Sequence, residues 1–276
     1  MLFTFQLCDV SLSEMTGLLL LRNVFWLSTT LAEAVLLIYL LKRKLQSTHP
    51  IFVAYLASII LQSGLAAWIY TVWGYTSDVA VLVIWGSQAV VICLRFGAVF
   101  EMAKRILSSY KGIWSLAARL ISGIGLCALI YSLLVAEKKF AFLALNLDRG
   151  LELTIASSIV ALLLFAKYYL LPVHPLDRAL AIGFCLYSCF FVINDSIFET
   201  FLNTYLGFWG FLDVLTFLAS LIIWIKAVRV YSEYPSPVYG QESILAGIYG
   251  AISPELNLRL KELNRQLVQV LRTGGE

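Results

Sequence analysis

The chain has 276 residues, of which 61% are apolar and 13% charged, with a formal net charge of +3. That charged share is about half the share found in a soluble domain, which excludes a water-facing globule. The length allows several spans of roughly 20 apolar residues, the number a hydrocarbon layer demands of a helix.

Met1 to Leu21 is apolar but carries Asp9 and Glu14 where a signal peptide would be basic, so no cleavage is expected. Seven long apolar runs follow: Val24 to Leu41, Ile51 to Trp73, Val79 to Ala103, Leu116 to Ala136, Asp148 to Leu171, Leu176 to Phe201 and Leu206 to Val228. Each is too long for a membrane strand, and backbone groups in lipid must pair within their own segment. An all-α bundle of seven transmembrane helices is predicted. It divides the chain into an N-terminal segment (1–23), a membrane domain (24–230) and a tail (231–276).

Lys and Arg set the expected direction. One set of joints holds 15 of them and the other 4, namely Arg22, Lys138, Lys139 and Arg149; without the tail the ratio is 11 to 4. The richer side is predicted to be cytoplasmic, with the amino terminus outside and the carboxy terminus inside. Trp26, Trp73 and Trp209 then fall near the outer boundary, and Trp114 and Trp224 near the inner one.

The five cysteines, Cys8, Cys93, Cys127, Cys185 and Cys189, have no CxxC spacing and read as packing residues; Cys185 and Cys189 are one turn apart and share a face. In the tail, Ser253, Pro254 and Glu255 form a helix start, with Pro at the first helical position. Leu256, Leu260, Leu263, Leu267 and Leu271 then mark one stripe of an amphipathic helix over about 254–271. It is expected to lie on the membrane surface or against the bundle, the alternative being contact with a cytoplasmic partner protein or a second copy.

His49-Pro50 before the second span and His174-Pro175 before the sixth are offset by 125 residues, as are Lys42 and Lys167, Ala54 and Ala179, and Ser63 and Ser188. The offset hints at a parallel 3+1+3 internal repeat. The stretches His49 to Ser58, Arg149 to Glu152 and Trp224 to Tyr231 together resemble a family of bacterial seven-helix membrane proteins to which no activity is assigned. The resemblance implies a multi-pass protein of a bacterial plasma (inner) membrane and no reaction.

Ionisable groups inside spans are costly, so each is a candidate functional residue. By depth, Glu152, Asp195, Glu199 and Asp213, with Asn194, Gln88 and the cation Arg149, form an expected outer-half group. Such a pocket suits a small cation, a proton or an amine, unless it is a hydrated vestibule. Glu33 and Arg95 are buried polar residues of unassigned role. At 1.5 Å per residue they sit about 10 Å apart in depth, which argues against direct pairing.

No lysine stands mid-span in the seventh run to carry retinal, and the only histidines, His49 and His174, lie in joints as solvated caps. Haem, zinc and other cofactors are therefore not expected. Glu101 and Arg105 have the ExxxR spacing of some membrane proteases, but the acid before Glu101 is replaced by Phe100 and no span histidine joins them. No catalytic motif supports an enzyme. Two classes remain: a sensor, receptor or accessory scaffold, favoured by the topology and tail, or a small transporter or channel, favoured by the repeat and the acidic group. A polar path running from Asp195 and Asp213 towards Arg95 would favour transport, whereas a sensor or scaffold would close below the vestibule.

Overall fold

The computed structural model describes residues 12–74, 77–107, 110–135, 140–168, 171, 173–201, 206–231 and 254–273. The side chains of 12–23, 135, 140–145, 194–201, 206–210, 231, 254–257, 260 and 271–273 lie outside that description. Among the described residues there are eight α-helices and no strands. They are α1 Leu12–Lys42, α2 Pro50–Trp73, α3 Asp78–Leu107, α4 Lys111–Val135, α5 Phe140–Tyr168, α6 Pro175–Phe201, α7 Leu206–Tyr231 and α8 Pro254–Thr273. Seven of them, α1 to α7, are long and apolar enough to cross a membrane.

Local chemistry explains the boundaries. Pro50 and Pro175 open α2 and α6 at the position where a missing N–H costs nothing. Gly74, at φ 74°, closes α2 in the left-handed region that disfavours other residues. Three starts differ from the expected ones, that of α4 lying at Lys111 rather than Leu116. The apolar stretch ahead of Val24 joins the first helix, and α5 begins at Phe140 rather than Asp148 because Phe140 to Leu147 is apolar enough to extend the span. Glu152 thereby moves from the edge of its helix to twelve residues inside it, about 18 Å at 1.5 Å per residue.

Six helices close a ring. α1 packs on α2, α2 on α3, α3 on α5, α5 on α6, α6 on α7, and α7 back on α1. α4 lies outside the ring against α3 and α5. Successive helices run in alternate directions, so α1, α3, α5 and α7 end, and α2, α4 and α6 begin, at one end of the bundle. Lys42, Lys104, Arg105, Lys111, Lys167 and Arg229 gather there, and it is called the basic end below.

The bundle is inverted relative to a soluble protein. Leu61 and Leu134 are 73% and 80% exposed, whereas Gln62, Arg95, Glu152 and Asp213 are all 5% exposed or less. Apolar surface on the outside and charge on the inside is the arrangement lipid contact requires.

The core nearer the basic end is aromatic. Phe52 on α2, Phe184 on α6 and Trp224 on α7 meet with ring centroids 4.8–5.8 Å apart, in edge-to-face and tilted geometries. Trp224 is fully buried in this layer and does not mark an interface as expected, because the edge of its ring lies on the α6 backbone. Its indole N–H donates to the Leu180 carbonyl at 3.3 Å, and Ser220 Oγ donates to the Gly183 carbonyl at 2.9 Å. Trp26 and Trp73, at 44% and 45% exposed, do face outward. Trp209 lies outside the described side chains.

α8 seats on the first turn of α4, where the Gly112 N–H donates to Asn264 Oδ1 at 2.8 Å and Leu267 packs against the core. Of the tail stripe, Leu263 is instead at the surface, and the side chains of Leu256, Leu260 and Leu271 lie outside the description. Cys185 and Cys189 share a face as expected, their sulfurs 3.8 Å apart, while Cys93 and Cys127 point outward. Cys8 lies outside the described residues.

A methyl group at Gly183 would stand 2.2 Å from Trp224 Nε1. Gly183→Ala should therefore cost about 1–3 kcal/mol through overpacking and lower the detergent melting temperature, whereas Gly64→Ala, with open space at its Cβ, should not.

Candidate functional site

The middle of the ring is polar because the sequence puts one polar residue at the same depth on several helices. Gln62, Tyr187 and Arg95 each lie twelve residues from the basic end of their helices, counted from Pro50, Pro175 and Leu107, or about 18 Å. Arg95 is 4% exposed and lies across two aromatic faces, its guanidinium carbon 5.5 Å from the Tyr55 ring centroid and 4.8 Å from that of Tyr187. Its Nη1 forms an ion pair with Glu152 Oε1, and Glu152 has no exposed surface.

This pair corrects one expectation and agrees with another. Glu152 does not belong to an outer group with Arg149; the longer α5 carries it down to the level of Arg95. Glu33 is not the partner of Arg95, as the depth mismatch implied, and no ion pair joins them. A second acid, Asp148, lies one turn before Glu152 and acts electrostatically on Arg95, Tyr55 and Tyr187.

Hydrogen bonds extend the polar interior across α2, α3 and α5. Gln62 Nε2 donates to Gln88 Oε1 at 2.9 Å and to Ser87 Oγ at 3.3 Å, and Gln88 Nε2 donates to Asp148 Oδ2 at 3.3 Å. Asp213 on α7 is fully buried and acts electrostatically on Tyr187. Among the described residues, Glu33, Asp148, Glu152 and Asp213 are thus acids buried in the same bundle as the Arg95 guanidinium. Asn194, Asp195 and Glu199 are in α6, but their side chains lie outside the description.

Between α1, α2, α3, α6 and α7 the ring leaves a cavity with about 50 Å³ open to the centres of water molecules. At 10–15 Å³ each, that holds roughly three to five waters. Thr29, Glu33, Gln62, Ser63, Arg95 and Tyr187 supply its polar wall. Two of the residues lining it, Glu33 and Arg95, have a buried atom, Oε2 and Nε respectively, without a hydrogen-bond partner among the described residues.

Sequence reasoning missed Asp148, Tyr55, Tyr187 and Gln62. Asp148 was legible from its spacing, since residues four apart share a helix face with Glu152. The tyrosines carry no such signal, because apolar packing accounts for a tyrosine equally well. No group of three or more His, Cys, Asp or Glu among the described residues has metal-binding geometry.

A second polar cluster joins the basic ends of α2, α3 and α6. His49 Nε2 lies 2.9 Å from Asp177 Oδ1, and Arg105 Nε lies 3.3 Å from the same oxygen. Arg105 Nη1 donates to the Thr48 carbonyl at 2.6 Å. Glu101 Oε2 accepts the free N–H groups of Ile51 and Phe52 at 3.1 and 3.4 Å, which caps α2 from a neighbouring helix. The ExxxR spacing is therefore a structural fastening. His49 is 3% exposed and is no solvated cap, because Asp177 reaches it from α6. His174 does cap α6, its Nδ1 accepting the Leu176 N–H at 3.2 Å.

No protein-family model, curated protein or solved structure matches this chain.

Burial holds the His174 imidazole below its usual pKa, and the cap needs Nδ1 unprotonated. The folded value is depressed, so this contribution is present above about pH 6.5 and is lost as pH falls through the folded value. His174→Asn, which caps without titrating, should lose less melting temperature than wild type between pH 7.5 and pH 5. Equal losses would contradict the capping role.

Proposed function

We propose that this chain is a small multi-pass carrier for a cation, a proton or a small polar solute, binding its cargo in the chamber around Arg95 and Glu152. The observation that carries the reading is the set of buried polar groups inside the ring, Gln62 bonded to Gln88 and Gln88 to Asp148, with Glu152 paired to Arg95 and Arg95 over Tyr187. A scaffold needs no such interior, which costs several kcal/mol per ion to desolvate. The surplus of carboxylates favours a cargo with positive charge, or one carried together with a proton.

The rest of the ring supports the same reading. Between the chamber and the basic end stand the layer of Phe52, Phe184 and Trp224 and then the ionic cluster of His49, Asp177 and Arg105. Such a pair of barriers is what a carrier closed at one end would have. Contacts in the order α1–α2–α3–α5–α6–α7, with α4 outside, are those a parallel 3+1+3 repeat would produce. α2 and α6, the helices such a repeat relates, meet at the ionic cluster. By the bias of Lys and Arg the basic end is cytoplasmic, and by its resemblance the protein belongs in a bacterial inner membrane.

Proteoliposomes should take up at least one of protons, sodium, methylammonium or glycine above protein-free vesicles, and Glu152→Gln should reduce that uptake to background. Background flux for all four with wild type would overturn the carrier reading and leave the sensor or receptor reading, which the seating of α8 on α4 favours.

A further inference from the structure

The ring cavity presents two unmatched groups of opposite character. Glu33 on α1 is 3% exposed, and its Oε2 has no hydrogen-bond partner among the described residues. Arg95 on α3 is 4% exposed, and its Nε–H is likewise unpartnered although Nη1 is held by Glu152. Both residues line the cavity, yet they do not form an ion pair with each other. Leaving a buried carboxyl oxygen and a buried guanidinium N–H without hydrogen bonds is expensive, and hydrogen bonds to a third party would recover that cost.

We infer that this cavity is a binding site for a small zwitterion, a solute with an ammonium group at one end and a carboxylate at the other. The ammonium meets Glu33, with the hydroxyl of Thr29 and the amide of Gln62 on the same wall; the carboxylate meets the Arg95 Nε–H. Charge decides the orientation. Glu152 already neutralises Arg95, so the site as a whole is acidic and the ammonium provides the stronger attraction. Size decides the class. Room for roughly three to five waters admits a solute of about that many non-hydrogen atoms, which leaves no space for a longer side chain. A water cluster would satisfy both groups without selecting any solute, so the test must separate the two.

This site deepens the carrier reading by naming its cargo, but its test is equilibrium binding. The full-length protein in detergent, dialysed against radiolabelled glycine, should bind it saturably. Glu33→Gln should weaken binding by at least about tenfold while keeping the wild-type helical circular dichroism. Ala66→Val, which narrows the cavity without changing charge, should weaken it as well. Methylammonium and acetate, each able to fill one end only, should compete at least about tenfold less well than glycine.

Absence of saturable glycine binding by folded wild type overturns the proposal and leaves a hydrated cavity. Binding unchanged in both variants places glycine elsewhere and also overturns it. Methylammonium competing as well as glycine shows that the Arg95 end is unused, and the site is then one for simple cations. Saturable binding without uptake into vesicles upholds the site while removing the carrier reading, so the two can fail separately.

Discussion

A guanidinium cannot be left alone in the middle of an apolar bundle, and much of this structure follows from how Arg95 is met. Its charge is answered by Glu152 from the facing helix and by the aromatic faces of Tyr55 and Tyr187. That requires α2, α3, α5 and α6 to hold a fixed register in depth. The register is available because α5 starts eight residues earlier than expected, at Phe140 rather than Asp148. In lipid, where apolar contact between helices offers little driving force, such polar contacts and close packing supply much of the specificity. Ser220 and Gly183 show the second ingredient, a backbone approach at which Trp224 leaves no room for a side chain.

The two halves of the bundle interior do different jobs. Around Arg95 the groups are charged, partly unmatched and adjacent to a cavity. Towards the basic end they are aromatic and closely packed, then ionic: His49, Asp177, Arg105 and Glu101 each have a partner on another segment. A matched cluster fastens; an unmatched one beside a cavity is poised to bind. That contrast locates the proposed site better than the number of acids does.

Much of the architecture was legible in the sequence, because lipid imposes a length and a composition on every span. The observed starts of α2, α3, α6 and α7 lie within a residue of the expected ones. The starts of α1, α4 and α5 were read too late, although Lys111 opens α4 and Lys138 and Lys139 directly precede α5. The site was legible only in part. Glu33, Gln88, Arg95, Glu152 and Asp213 announce themselves as polar residues in apolar runs, but their pairing does not. A depth measured from a misplaced helix start put Glu152 in the wrong layer and left Arg95 without its partner. Tyr55 and Tyr187 were invisible, because a tyrosine within a span is as good a packing residue as a cation's neighbour.

The Arg95–Glu152 pair is the claim on which the rest stands, and a double-mutant cycle measures it directly. With stability read from reversible unfolding in mixed micelles, Glu152→Gln and Arg95→Gln should each cost about 3–5 kcal/mol, because each strands a buried charge. The double variant should cost much less than their sum, giving a coupling of at least about 2 kcal/mol. Additive losses, or a Glu152→Gln protein within about 1 kcal/mol of wild type, would show that the pair does not organise the bundle.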